Sequence, residues 1–378
     1  MFILVEINCL KYLIIPQMKQ FEILQHCIEK NIPFFSYRMP YSSEIVTGIQ
    51  TVSTIEKFVG FENSQNGFIV SPFDAESVAE ALFFQPDIHF VNNDINENQL
   101  KRLISISFET KNKSTSTHET SFSDYLLQAS TLIAKLKHNE LKKIVLSRAI
   151  SITSCKKESA AVLFEKLSKI YPHAFVSIFH IPGQCVWVGA TPETLLKSNE
   201  ESVQTMSLAG TKSFQQKVEW TDKERQEQQM VSDYVEKVLQ QFAFSEIEKI
   251  GPTEQQAGNV CHLMTKYNCK GKLSAKEQLE LIKILHPTPA VCGIPKEKAL
   301  QLIAATELHD REYYAGYLGP IHANACNLFV NLRCMKLTDE GVAFFVGGGL
   351  TAQSIPEAEW AETCMKLETL SKVINSEQ

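Results

Sequence analysis

Two pairs of carboxylates share one spacing. Glu224 and Glu227 lie three residues apart near the start of one helical pattern, and Glu359 and Glu362 repeat that spacing near the start of another. Residues three apart on a helix share a face, so each pair presents two carboxylates to one side. Glu227 heads a stripe that continues through Val231, Tyr234 and Val238, which turns it toward the core, where an ionised carboxylate is costly without a partner. Mg²⁺ meets that need, because it takes oxygen ligands and keeps waters and a substrate oxygen in its shell. A salt bridge to Lys or Arg meets it too. Glu224 also stands three residues after Thr221, a capping-box spacing that needs no metal. Glu359 reads equally as solvated surface charge.

Four further features carry chemistry. Lys143 opens the run KIVLSR, which otherwise takes apolar residues. A lysine at a strand edge commonly keeps that edge solvated, whereas a lysine crowded by other cations gives up its proton more readily and can act as a base. Glu193 follows the apolar run ending GATP. A carboxyl there holds its proton more tightly and can act as an acid; an ordinary loop glutamate is the plainer reading. Arg333 interrupts NLFVNLRCMKL and needs an anion, either a substrate carboxylate gripped at two points or a structural one. Gly347, Gly348 and Gly349 follow the strand-like VAFFV. Such glycines let the backbone approach a ligand, and also suit a tight turn; the GK[ST] ending of a nucleotide loop is missing.

The elements that position these groups follow from periodicity. A mixed region with short strands and a helix near 76–84 precedes a Ser/Thr-rich loop over 111–123. Helical spacing of apolar residues covers 124–139, and LKKIVLSRAIS reads as a strand. FVSIFH and QCVWVGA form a hairpin through Pro182-Gly183. A helix over 221–242 opens at Thr221, strands cover 327–337 and 342–346, and Ser354-x-x-Glu357 opens a last helix reaching about Val373. Hairpin-joined strands among helices favour an α+β fold with antiparallel sheets.

Composition limits the partners. With 378 residues, 44% hydrophobic, the chain can bury a large core without disulfides, and a net charge of −6 argues against nucleic acid. The ten cysteines form no CxxC pair, so neither a zinc ribbon nor a redox dithiol is indicated; Cys185 and Cys326 read as reduced core residues. The apolar start MFILVEINCLKYLIIP is too short to span a membrane and reads as a buried strand, with Met18 as an alternative start. A cytoplasmic monomer acting on a small molecule is expected.

Nine motifs occur in order: KIVLSR (143–148), VGATPETLL (188–196), SLAGTK (207–212), KERQEQQMV (223–231), CHL (261–263), LHPTPAVCGIP (285–295), DREYYAGYLG (310–319), NLRC (331–334) and GGGLTAQSIPEAEWAETCMK (347–366). Together they resemble the chorismate-binding enzymes: isochorismate and salicylate synthases and the large subunits of anthranilate and aminodeoxychorismate synthases. The resemblance covers about 120–373. It implies two large antiparallel sheets packed face to face with peripheral helices, in effect one domain, with 1–110 a variable part and 120–378 the catalytic region. It also implies a Mg²⁺ ion bridging helix carboxylates and the ring carboxylate of chorismate, with Glu227 and Glu362 as direct ligands and Glu224 and Glu359 acting through water. Arg333 and Tyr314 would grip the side-chain carboxylate. Gly210, Thr211, His262, Ala290, Gly347 and Lys366 would complete the pocket.

The same resemblance separates subgroups. Lys143 stands where water-using members carry Lys and ammonia-using members carry Gln. Glu193 stands at the general-acid position. Ser207-Leu208-Ala209 lacks the nucleophilic lysine typical of aminodeoxychorismate synthases, and Pro287 to Val291 resemble isochorismate synthases. Gln228 in place of a common His, Lys212 in place of Arg, and Leu350-Thr351 in place of Ile-Val are departures. The expectation is an isochorismate synthase, an isomerase serving menaquinone or siderophore synthesis. A salicylate synthase, an ammonia-using component and a non-catalytic chorismate-binding protein are the alternatives.

Overall fold

The computed structural model describes residues 18–61, 66–74, 80–109, 117–153, 155–214, 219–323 and 325–375. The N-terminal apolar run before Met18, residues 111–116 of the Ser/Thr-rich loop and residues 76–79 of the helix expected near 76–84 lie outside them.

The chain begins with α1 (Gln20–Glu29), β1 (Phe34–Arg38), β2 (Ile45–Ile49), β3 (Glu56–Lys57), β4 (Gly67–Ser71), β5 (Leu82–Phe84), β6 (Ile88–Val91), α2 (Glu97–Ile104) and α3 (Phe122–Lys137). Then follow β7 (Lys143–Ile152), α4 (Ala160–Ile170), β8 (Phe175–Ile181), β9 (Cys185–Thr191), β10 (Thr194–Ser198), β11 (Ser202–Ser213) and α5 (Asp222–Leu239). The rest comprises β12 (Glu246–Ala257), β13 (Val260–Lys270), α6 (Ala275–Leu285), β14 (Gly293–Ile294), α7 (Lys296–Thr306), β15 (Tyr317–His322), β16 (Ala325–Val330), β17 (Cys334–Leu337), β18 (Val342–Leu350) and α8 (Pro356–Asn375).

The strands form two nine-stranded sheets, in the orders β14-β7-β18-β17-β9-β8-β1-β2-β6 and β12-β13-β11-β10-β16-β15-β4-β5-β3. Neighbours pair antiparallel, as the hairpins required; β8 and β9, for example, run Phe175↔Thr191 to Ile181↔Cys185. The core lies between the inner faces of the sheets, where aromatic rings from opposite sheets stack: Phe175 on Phe329 at 4.0 Å and Phe35 on Phe68 at 4.7 Å. A second core lies where Ile23 and Leu24 of α1 and Phe164 and Leu167 of α4 cover the outer face of the first sheet. This is the expected α+β sandwich.

Three local readings change. Residues 82–84, expected as the end of a helix, form β5 and pair with β4 and β3; sheet pairing overrides a short apolar run that periodicity cannot assign. The single strand expected over 327–337 is two strands in different sheets, β16 and β17, and Arg333 makes the crossing with φ of 49°. At the start of α8, Ser354 Oγ accepts the N–H of Thr351 at 3.0 Å, and Pro356 supplies the first helical residue, where its missing N–H costs nothing. The capping box at Thr221 and Glu224 forms as its spacing implied. Among the described residues no helix is long and apolar enough to cross a membrane, and both Cys185 and Cys326 are buried free thiols.

Candidate active site

A cleft opens where β7 and β18 of one sheet face the ends of β11 and β13 of the other. Glu193, Gly210, Thr211, Glu227 and His262 line it, as do Ala290, Tyr314, Arg333, Gly347 and Lys366. Lys143, Glu224, Glu359 and Glu362 stand behind this lining.

Glu193 sits in the two-residue link between β9 and β10 and is 2% exposed. Its backbone is fixed on both sides, its N–H donating to Thr191 Oγ1 (3.3 Å) and its carbonyl accepting from Val330 N–H. Burial raises its carboxyl to about 8, against the pull of the Lys143 charge and the Thr288 hydroxyl. At neutral pH this group keeps its proton.

Lys143 is fully buried at the start of β7, and its Nζ lies 2.9 Å from Glu227 Oε1. Burial pushes the Glu227 carboxyl up, but the charges of Lys143, Lys366 and Lys223 outweigh it and hold the group below its ordinary range. The solvated edge lysine is therefore not what forms.

The carboxylates of α5 and α8 converge on the glycines of β18. Glu227 Oε1 occupies the space that a Cβ on Gly349 would need, while Glu359 Oε2 and Glu362 Oε1 each lie 3.6 Å from where a Cβ on Gly348 would stand. Each carboxylate is held by a lysine, with Lys223–Glu359 at 2.6 Å and Lys366–Glu362 at 2.7 Å. Glu359 is 1% exposed, so it is not solvated surface charge; burial and the neighbouring Glu362 raise its pKa, and Lys223 opposes them. Glu224 uses Oε2 to accept the Thr221 N–H at 3.0 Å. Its backbone packs against Gly210, whose φ of 70° disfavours any side chain and where a Cβ would stand 3.1 Å from the Glu224 carbonyl oxygen, a tight contact.

Among the described residues no three His, Cys, Asp or Glu side chains form a metal cage by themselves. Mg²⁺ does not need one: it is commonly bound by one or two carboxylates, with water and substrate oxygens completing the shell. All-oxygen donors on two helices, facing a glycine strand where a Cβ on Gly349 would collide with Glu227, fit such an ion.

The far wall is cationic. Arg333 donates from Nη2 to His262 Nε2 (3.1 Å), and His262 Nδ1 donates to the Gly210 carbonyl (2.9 Å). Burial, with Arg333 and Lys366 nearby, lowers His262 to about 3, so it stays a neutral acceptor that orients the guanidinium. Burial lowers Arg333 only to about 10, which leaves it charged. Tyr314 stacks on Phe345 at 5.5 Å and points its hydroxyl at the backbone of Gly347, while Lys366 Nζ donates to the Gly347 carbonyl at 2.8 Å.

The model of the family described as chorismate binding enzyme matches residues 82–375. The chain belongs to the chorismate binding enzymes. Isochorismate synthase EntC of Escherichia coli is 32% identical over 269 residues, 68% of this chain and 67% of that one. Among solved structures, DhbC from Bacillus anthracis has a TM-score of 0.76 at 23% identity, covering 94% of this chain and 99% of that one. MenF of Escherichia coli, the menaquinone-specific isochorismate synthase, has a TM-score of 0.75 at 21% identity, covering 92% and 90%. These two establish the shared fold of this chorismate binding enzyme.

Sequence reasoning passed over Lys223, which ties α5 to Glu359 of α8. Its signal was available: it stands four residues before Glu227, on the same helical face. It also passed over Glu307, which caps α7, and Arg311 four residues further on.

Proposed function

We propose that this chorismate binding enzyme is a Mg²⁺-dependent isochorismate synthase, an isomerase that adds water at C2 of chorismate and expels the C4 hydroxyl. The observation that carries this reading is the contrast inside one cleft between Glu193, which keeps its proton, and Glu227, which has lost its own to a lysine-rich neighbourhood. Acid–base chemistry at neutral pH needs groups separated in this way.

When bound, Mg²⁺ would neutralise the ring carboxylate and draw electron density from the ring, with Glu227 and Glu362 as ligands and Glu224 and Glu359 acting through water. Arg333 and Tyr314 grip the side-chain carboxylate, while Thr211, His262 and Lys366 fix the walls. In the resting cleft Lys143 is the cationic partner of Glu227; to act as the base it first releases that proton to solvent, and then accepts one from the water that attacks C2. Glu193 gives its proton to the C4 oxygen, which leaves as water. One water enters and one departs, so the product is an isomer, and the reverse reaction exchanges the two roles. The small Ala290 and apolar Val291 leave room for the attacking water and for release before pyruvate elimination. On this reading 120–378 is the catalytic region of a single, monomeric domain.

The test is product analysis with chorismate and Mg²⁺ and no nitrogen source. Isochorismate is expected. Anthranilate or aminodeoxychorismate formed only with ammonia, or salicylate with pyruvate released as fast as chorismate disappears, would replace this reading. Chorismate binding without turnover would favour a non-catalytic role.

A further inference from the structure

The edge of β7 that faces the cleft's loop wall is only partly covered by a strand. β14 pairs with Lys143 and Ile144 and then ends. The backbone groups beyond still need partners, since a buried unpaired N–H or C=O is costly. Val145 N–H finds the Cys292 carbonyl at 2.7 Å. The other two partners are side chains. Arg311 Nη2 donates to the Val145 carbonyl at 2.9 Å, and Glu307 Oε1 accepts the Ser147 N–H at 2.7 Å.

These side chains fix each other. Arg311 Nη2 and Nε meet Glu307 Oε1 and Oε2 at 2.6 and 2.8 Å, a two-point pair with both side chains at most 3% exposed. Arg311 Nη1 reaches the Val291 carbonyl at 2.8 Å, and the guanidinium rests 4.2 Å over the Phe73 ring. One buried ion pair therefore replaces a missing stretch of strand and ties β7, which begins at Lys143, to the loop that carries Ala290 and Val291. Val145 and Val291 both line the cleft.

We propose that Glu307 and Arg311 are positioning residues for the reaction, setting Lys143 on β7 relative to the loop wall of the cleft through the backbone of both. This rests on the reading of Lys143 as the base. Of the residues assigned to grip the substrate's side-chain carboxylate, Tyr314 meets Arg311: its backbone N–H donates to the Arg311 carbonyl at 2.8 Å, and the guanidinium lies 6.0 Å from its ring centre. The backbone bond survives any change of side chain and Arg311→Lys keeps a cation near the ring, so loss of the ion pair acts chiefly on turnover. Arg311→Lys keeps the charge but cannot hold two carbonyls and a carboxylate with one planar fork. Glu307→Gln keeps an acceptor for Ser147 and loses the charge.

The experiment measures kcat and KM for both variants, with folded sites counted by calorimetric titration with chorismate and Mg²⁺. A misplacement near 1 Å can cost ~100-fold in rate, so kcat per site should fall about 10- to 100-fold in Arg311→Lys and less in Glu307→Gln. The chorismate KM should move by less than about threefold. A kcat per site within about twofold of the parent, with only a lower melting temperature, would mean a purely structural pair and overturn the proposal. If Arg311→Lys fails to fold, Glu307→Gln decides alone by the same criterion. Lys143→Ala run in parallel separates the two ideas. Near-normal turnover there removes the base itself, whereas its loss beside unchanged Arg311 and Glu307 variants removes this proposal only.

Discussion

The two walls of the cleft treat a buried carboxylate in opposite ways. At the β9–β10 link, Glu193 is sealed from water and its carboxyl rises to about 8. At the α5–α8 wall, Glu227 is less enclosed, its side chain 13% exposed, and Lys143, Lys366 and Lys223 hold it ionised. Desolvation pushes both carboxyls up, so desolvation alone does not decide the protonation state. The number of cations does: Lys143 reaches both walls, while Lys223 and Lys366 act on the second wall alone. One sandwich thus keeps one carboxyl protonated and another ionised without changing the residue type.

Removing the groups that transfer protons should break the comparison most severely. Proton transfer by a positioned side chain is worth roughly 10²–10⁴-fold in rate. Lys143→Ala and Glu193→Gln should each lower kcat by at least about 100-fold while chorismate still binds in the presence of Mg²⁺, as read by calorimetry. Turnover near the parent in Lys143→Ala would end the proposed mechanism.

The second effect belongs to the carboxylate wall. Glu227→Gln and Glu362→Gln should weaken Mg²⁺-dependent chorismate binding by about 10- to 100-fold, with Glu224→Gln doing less. The Glu224 side chain is already engaged with Thr221. Excess chelator should abolish activity and added Mg²⁺ restore it; full activity in chelator would take the metal out of the account.

The pH dependence sharpens the contrast at the first wall. The folded state raises Glu193 from an ordinary 4.5 to about 8. Between those values the folded protein holds a proton that the unfolded chain has released, so this group's contribution to stability declines as pH rises through the window. Glu193→Gln should flatten that part of the stability–pH curve in denaturant titrations. Turnover of the parent should fall above about pH 8 as the acid is lost. A rate that stays level well beyond that point would place the proton donor elsewhere.

Much of this architecture was legible because its signals are local. The capping box at Thr221, the hairpin turn at Pro182-Gly183 and the apolar period of α3 each depend on residues within a few positions. What the sequence hid depends on distant partners. Arg333 reads as a strand residue because its neighbours are apolar, yet it turns the chain from one sheet to the other. Glu359 reads as solvated because its cation, Lys223, is 136 residues away. Nothing near Glu307 and Arg311 in the sequence singles them out, and only the short reach of β14 along β7 reveals why the pair is buried. The roles of Lys143 and Glu193 came from a resemblance. Their separate environments became visible only with the fold.

Whether Glu193 can donate a proton turns on its own protonation state. Infrared difference spectra of the parent minus Glu193→Gln, recorded across pH, isolate that one carboxyl. A protonated-carboxyl band is expected at neutral pH, fading as the pH passes about 8. A spectrum showing only carboxylate at neutral pH would contradict it.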